Sequence, residues 1–193
     1  MNDTKTHNVA FAWFGIFAVA VFAITWICAA ALDPTWVFGK DIISKLGISN
    51  TDASLYFKYG CVLTGAFAII FGIGNTLYAK NAGHASGGIF MIMAGLFLAL
   101  VGIITMDIGN GDLHKFVAIT MAIFILCAAI SFAAGNWYEH HELYAGVPII
   151  IICMIIGLGI GYNNATAEGW AVILALLWIC IESIRMIATT EKD

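Results

Sequence analysis

Three side chains capable of acid–base or metal chemistry crowd into eight residues: Asp107, Asp112 and His114. A fourth, Asp33, ends an apolar run nearer the N-terminus. Two carboxylates and an imidazole suit a divalent cation, or the pairing of a general acid with a general base. Asp33, Asp107 and His114 are thus the candidate catalytic set, and Asp107, Asp112 and His114 the candidate metal ligands. Asp112 is equally a natural helix N-cap, with His114 in the first turn. Neither HExxH nor paired-His spacing is present. Glu182 and Arg185 stand three apart inside an apolar run, where charge is expensive and faces a bundle interior or a partner. Residues at that spacing neutralise each other across one helical turn, so they read as a structural polar pair. Glu139-His140-His141-Glu142 reads as a solvated, pH-sensitive turn, because adjacent histidines point different ways and chelate poorly. His84 reads as a similar loop residue.

These groups sit in a 193-residue chain that is 62% hydrophobic and 10% charged, with a mean hydropathy of +0.95. An average soluble domain is about one quarter charged, so a soluble globular protein and a disordered chain are excluded. A net charge of −4 and a single arginine leave no basic face for nucleic acid. Stretches free of Asp, Glu, Lys, Arg and His cover 8–32, 59–79, 85–106, 116–138 and 143–167. Each meets the roughly 20 residues needed to cross a hydrocarbon core. A sixth run, 169–188, carries Glu182 and Arg185 near its far end. Backbone groups in lipid must be satisfied within their own segment, so all six are helices. The predicted fold is all-α: one transmembrane domain over 1–193, a bundle of six helices near 8–32, 54–79, 86–106, 113–136, 144–162 and 169–188. The first apolar run has 25 residues, against about 7–15 for a signal-peptide core, and reads as an uncleaved helix.

With six spans, both termini lie on one side, and the first, third and fifth connections lie on the other. Asp33 can therefore approach Asp107, Asp112 and His114. The protein is expected to be integral to the cell membrane, with cytoplasmic termini. Lys5, Lys80, Arg185 and Lys192 on the terminal side balance Lys40, Lys45, Lys58 and Lys115 on the other, so the positive-inside rule gives no bias. The sequons Asn2-Asp3-Thr4 and Asn164-Ala165-Thr166 fall on opposite sides and cancel. In the long first connection Pro34 stops the first helix. Positions 38, 42 and 46 then share one face, which predicts a short interfacial helix over 36–46 stopped by Gly47.

Lipid gives helices no hydrophobic reason to associate, so small residues mark where backbones meet. Gly88, Gly95 and Gly102 repeat every seven residues, as do Gly65 and Gly72, and Gly157 and Gly161 form a GxxxG pair. These faces are the expected packing seams, within one chain or against a second copy or a membrane partner. The five cysteines form no CxxC and read as small buried hydrophobes. Bis-His haem, a retinal Schiff base, a Walker A nucleotide site and an Arg-rich voltage sensor all lack their residues, so no cofactor is expected.

Ile43-Ser44-Lys45-Leu46-Gly47, Phe57-Lys58-Tyr59-Gly60, Gly102 before Asp107, Leu113-His114, and Glu182 with Arg185 follow one another along the chain. In this pattern the sequence resembles the archaeal and bacterial membrane family known as domain of unknown function 998. The family more often reads Ser-Asp-Leu-Gly and Phe-Asn-x-Gly at the first two motifs and has the Glu-Arg pair adjacent, whereas Lys45, Lys58 and a two-residue gap stand here. The resemblance implies six membrane helices and a distant likeness to the Frag1 and DRAM group, associated with lipid and membrane biology. It implies no catalytic activity.

Four readings follow. The leading one assigns no reaction: a membrane protein that binds lipid or a small amphipathic ligand between helices, with 36–46 bordering the entrance. It calls for a hydrophobic cavity open sideways. The second is a metal-assisted hydrolase or proton-coupled site at Asp33, Asp107 and His114. The third is a small transporter or channel, for which the spans offer few polar residues and no internal repeat. The fourth is an accessory subunit docked through the glycine faces.

Overall fold

The computed structural model describes the backbone of residues 2–192 and the side chains of residues 7–190. The side chains of Lys5 and Lys192, and those of the Asn2-Asp3-Thr4 sequon, lie outside the described residues. Six long helices follow in order: α1 (Asn2–Leu32), α2 (Ala53–Leu77), α3 (Ala82–Ile103), α4 (Asp112–Tyr138), α5 (Glu142–Gly161) and α6 (Asn164–Lys192). All six are long and apolar enough to cross a membrane. The chain is an all-α, multi-pass membrane protein, as the hydropathy pattern predicts. Each helix packs against the next, and α6 closes the ring on α1. Phe71 of α2, Phe132 of α4 and Trp178 of α6 lie in one fully buried cluster at the centre.

The α2–α3 contact shows why the seven-residue glycine spacing matters. The helices run antiparallel, and a Cβ added at Gly88 would lie 2.6 Å from the Gly72 carbonyl oxygen. At Gly95 it would lie 2.6 Å from that of Gly65, and at Gly102 2.7 Å from that of Lys58. Two turns separate successive contacts, so one stripe of glycines serves the whole length. Helix α5 differs. A Cβ at Gly157, Gly159 or Gly161 would touch nothing, so the expected seam at Gly157 and Gly161 is not a packing contact among the described residues. A small-residue pattern marks a surface that permits approach; it does not supply the partner.

Several boundaries also differ from expectation, two of them with a visible cap. Helix α6 begins at Asn164, five residues before the predicted start, because the Asn163 side chain accepts from Thr166 N (2.9 Å) and caps it. Helix α4 is capped by the left-handed Gly111 (φ +78°), which leaves Asp112 as the first helical residue instead of the cap. Asp112 pairs with Lys115 at 3.3 Å.

The first connection folds, but not as a helix over 36–46. Residues 34–41 turn back on themselves through Gly39 (φ +78°), and the Asp41 carboxylate accepts from Val37 N (2.9 Å). A 3-10 helix then spans Ile43–Ile48 and runs through Gly47. Gly47 is there because the Phe57 ring occupies the space a Cβ would take, 2.7 Å away. Glu168 of α6 accepts from Ile43 N (3.0 Å), and Thr166 donates to the Gly39 carbonyl (2.9 Å). The connection is thereby fastened to the start of α6.

Candidate functional sites

A connected set of buried polar residues gathers at the end that carries both termini. Asn81 caps α3 by accepting from His84 N (3.0 Å), which sets His84 in the first helical turn. Gly83 and Gly135 let α3 and α4 touch there: a Cβ at Gly135 would lie 2.7 Å from the His84 ring. His84 is thus 4% exposed and no loop residue. Its Nε2–H donates to Asn136 Oδ1 (3.0 Å), and Asn136 Nδ2 donates to Glu182 Oε2 (3.1 Å). Arg185 Nε donates to the other Glu182 oxygen (2.6 Å). His84 Nδ1 stands 3.1 Å from Glu139 Oε1 and 3.2 Å from Asn81 Nδ2, so it can donate to the first or accept from the second. Glu182 and Arg185 are 1% and 5% exposed, and Asn136 is fully buried. A continuous chain of polar contacts therefore runs from Glu139 to Arg185 across α3, α4 and α6.

Beside it lies a cavity of about 200 Å³ bordered by Asn8, Asn75, Lys80, His84, Glu139 and Arg185. Sequence reading found the Glu182–Arg185 pair but missed His84, Asn136 and Glu139. The signal available was local: Asn81 three residues before His84, as an N-cap spacing.

A second, larger space lies between α1 and α6 toward the opposite end. The two helices meet where Gly15 faces Ser183, whose Oγ lies 2.1 Å from where a Cβ would be. Beyond that point they part around an apolar groove of about 510 Å³ lined by Val19, Ala23, Trp26, Ile27, Ile173 and Leu176. Trp36 and Phe38 from the first connection also line it. Trp26, Trp36, Phe38 and Trp170 form an aromatic series with ring centroids 6.1–6.4 Å apart, T-shaped at three contacts and tilted between Trp26 and Phe38. The Trp36 indole donates to the Ile42 carbonyl (3.0 Å). The Trp26 indole Nε1 is buried without a partner. Ile27 and Phe38 are exposed, so the groove opens to the outside of the ring.

The candidate acid–base residues are each engaged by their own loop. Asp33 accepts from Thr35 N (3.0 Å) and Thr35 Oγ1 (2.6 Å). Asp107, which is exposed, accepts from Thr105 Oγ1. His114 is buried and donates from Nδ1 to the Ile104 carbonyl (2.6 Å). Among the described residues, no three His, Cys, Asp or Glu side chains gather where they could hold a metal ion. The expected chelate of Asp107, Asp112 and His114 therefore does not form: Asp112 turns to Lys115 and His114 turns inward.

Hydrogen bonds from Thr35 and Ser49 hold the Asp33 carboxyl below the usual carboxylate range, and one from Thr105 does the same for Asp107. A carboxyl whose proton affinity falls on folding stabilises the fold above its ordinary range, and that contribution disappears as pH drops through the lowered value. The first connection is expected to hold at neutral pH and to loosen below about pH 4. Hydrogen exchange of residues 35–42, corrected for intrinsic rate, reads this. Equal protection at about pH 6 and about pH 3 would contradict it.

The model of the family described as protein of unknown function, DUF998, matches residues 16–185. That stretch includes the groove lining and the chain from His84 to Arg185. No curated protein and no solved structure matches the chain, and nothing in these comparisons carries the Frag1 and DRAM likeness.

Proposed function

Since the chain belongs to the DUF998 family, whose description assigns no activity, we propose from the geometry that it binds a lipid-like amphipathic molecule in the groove between α1 and α6. The observation that carries this reading is the apolar space of about 510 Å³ open to the side of the bundle. An acyl chain is the natural occupant, because the wall is aliphatic and aromatic and lies along two membrane-spanning helices. The unpartnered Trp26 N–H asks for an acceptor, as buried donors do. An ester or carboxyl oxygen at the head of the chain supplies one. The first connection, fastened to α6 by Glu168 and Thr166, borders the entrance.

A photoreactive long-chain fatty acid tests this in detergent-solubilised protein. Labelling is expected at Ala23, Trp26 and Leu176 and is expected to be displaced by unlabelled fatty acid. Ala23→Trp fills the groove and is expected to weaken uptake about tenfold, the equivalent of about 1.4 kcal/mol or roughly two buried CH2 groups. Labelling that is not displaced and falls equally on the exposed face of α5, at Ile149 and Ile160, would overturn the reading.

A further inference from the structure

We propose that the cavity at the termini-bearing end is a second binding site, for an oxoanion (a phosphate or carboxylate) on a molecule that also carries hydrogen-bond donors. Around the cavity the carboxylates are already engaged by protein donors. Both Glu182 oxygens are taken, one by Arg185 Nε and one by Asn136 Nδ2. Glu139 turns Oε1 to Asn81 (2.6 Å) and His84, and Oε2 toward His141 at 3.7 Å. The carboxylates are thus directed at protein partners. Arg185 is different. A guanidinium has five N–H donors in a rigid fork, and only Nε is used on Glu182. The remaining four belong to a side chain that borders the cavity and is 5% exposed. The Arg fork matches an oxoanion in a bidentate way that an ammonium does not. Lys80 borders the same space and adds positive charge.

On α1, Asn8 gives its Nδ2 to Thr190 Oγ1 (2.6 Å) while its Oδ1 is buried without a donor. That orphan acceptor calls for an ammonium or hydroxyl attached to the anion. The volume, about 200 Å³, far exceeds the roughly 10–15 Å³ that one water needs, so a headgroup-sized solute fits. The site is distinct from the α1–α6 groove, and neither proposal depends on the other: Asn8 lies eleven residues before Val19 on α1, about 16 Å along the axis.

A phospholipid headgroup and a free phosphate share this chemistry, and two arms of one experiment separate them. The full chain is placed in phosphatidylcholine nanodiscs and titrated with inorganic phosphate against chloride at equal ionic strength. In parallel, phosphatidylglycerol replaces part of the phosphatidylcholine. A ligand that binds only the folded state raises the unfolding midpoint. A rise in the first arm assigns a soluble oxoanion, and a rise in the second alone assigns a headgroup. Arg185→Lys retains the charge but loses the fork, and is expected to weaken the responding arm at least tenfold. Lys80→Gln, an exposed position, is expected to weaken it about threefold and serves if Arg185→Lys does not fold. Lys115→Ala, exposed at the other end, is expected to leave it unchanged. No shift in either arm overturns the proposal. So does an Arg185→Lys response equal to that of the unmodified protein, or a Lys115→Ala loss as large as that of Lys80→Gln.

Discussion

Glu182→Ala is expected to destabilise the folded protein by about 3–5 kcal/mol, the usual cost of stranding one member of a buried ion pair. Glu182 holds Arg185 at 2.6 Å in a setting where neither side chain is more than 6% exposed. Removing it leaves a guanidinium without its counter-charge and strips Asn136 Nδ2 of its acceptor. Asn136 is then free to rotate, and His84 Nε2 loses its fixed partner. Replacing the pair together, as Glu182→Leu with Arg185→Met, removes the charge as well as its partner and is expected to recover most of the loss. Unfolding in detergent, followed by helical signal, gives both numbers. A single-variant loss under about 1 kcal/mol would show that the pair behaves as a solvent-screened surface bridge.

Gly95→Leu is expected to cost about 3 kcal/mol or more, at the upper end of what overpacking does. The nearest neighbour of the new Cβ is backbone, the Gly65 carbonyl oxygen at 2.6 Å, with Ile69 N at 3.0 Å. Backbone has no alternative rotamer, so α2 and α3 must separate. The contacts at Gly88 and Gly102 loosen with them. Gly157→Ala provides the contrast. Its Cβ meets open space, and exchanging glycine for alanine within a helix is expected to add about 0.5–1 kcal/mol. The same unfolding assay reads both. Equal effects at the two positions would refute the assignment of the α2–α3 seam.

The architecture was legible in the sequence because lipid imposes a simple rule: about 20 apolar residues per crossing, every one helical. The α2–α3 seam was legible as well, since a seven-residue glycine stripe has few other uses in a membrane helix. The polar site was only half legible, and the reason lies in the counting. Spans bounded by the nearest titratable residue push that residue into a loop by construction. His84 was displaced in this way from α3, which begins at Ala82, and Glu168 from α6, which begins at Asn164. Glu182 escaped only because apolar residues continue on both sides of it. A bounding histidine becomes a buried one when a cap such as Asn81 starts the helix before it and a glycine such as Gly135 makes room for its ring. Both are properties of a pair of helices, which no single stretch of sequence displays. The same holds for Gly157 and Gly161, whose spacing is right and whose neighbour is missing. Asp33 was expected beside Asp107 and His114 because the first and third connections share a side, but each makes its own short-range bond, to Thr35, Thr105 and Ile104 respectively.

The ring in which each helix neighbours its successors bears on how such a chain is made. Synthesis releases helices one at a time, so α1 to α5 can dock in turn, each on the one before. The last arrival carries the two costliest side chains, Glu182 and Arg185, and by then His84 and Asn136 are already in the bundle to receive them. The charged pair thus acts as a closing latch: α6 enters the bilayer at least expense when the other five are in place, which ties completion of the ring to correct assembly of the rest.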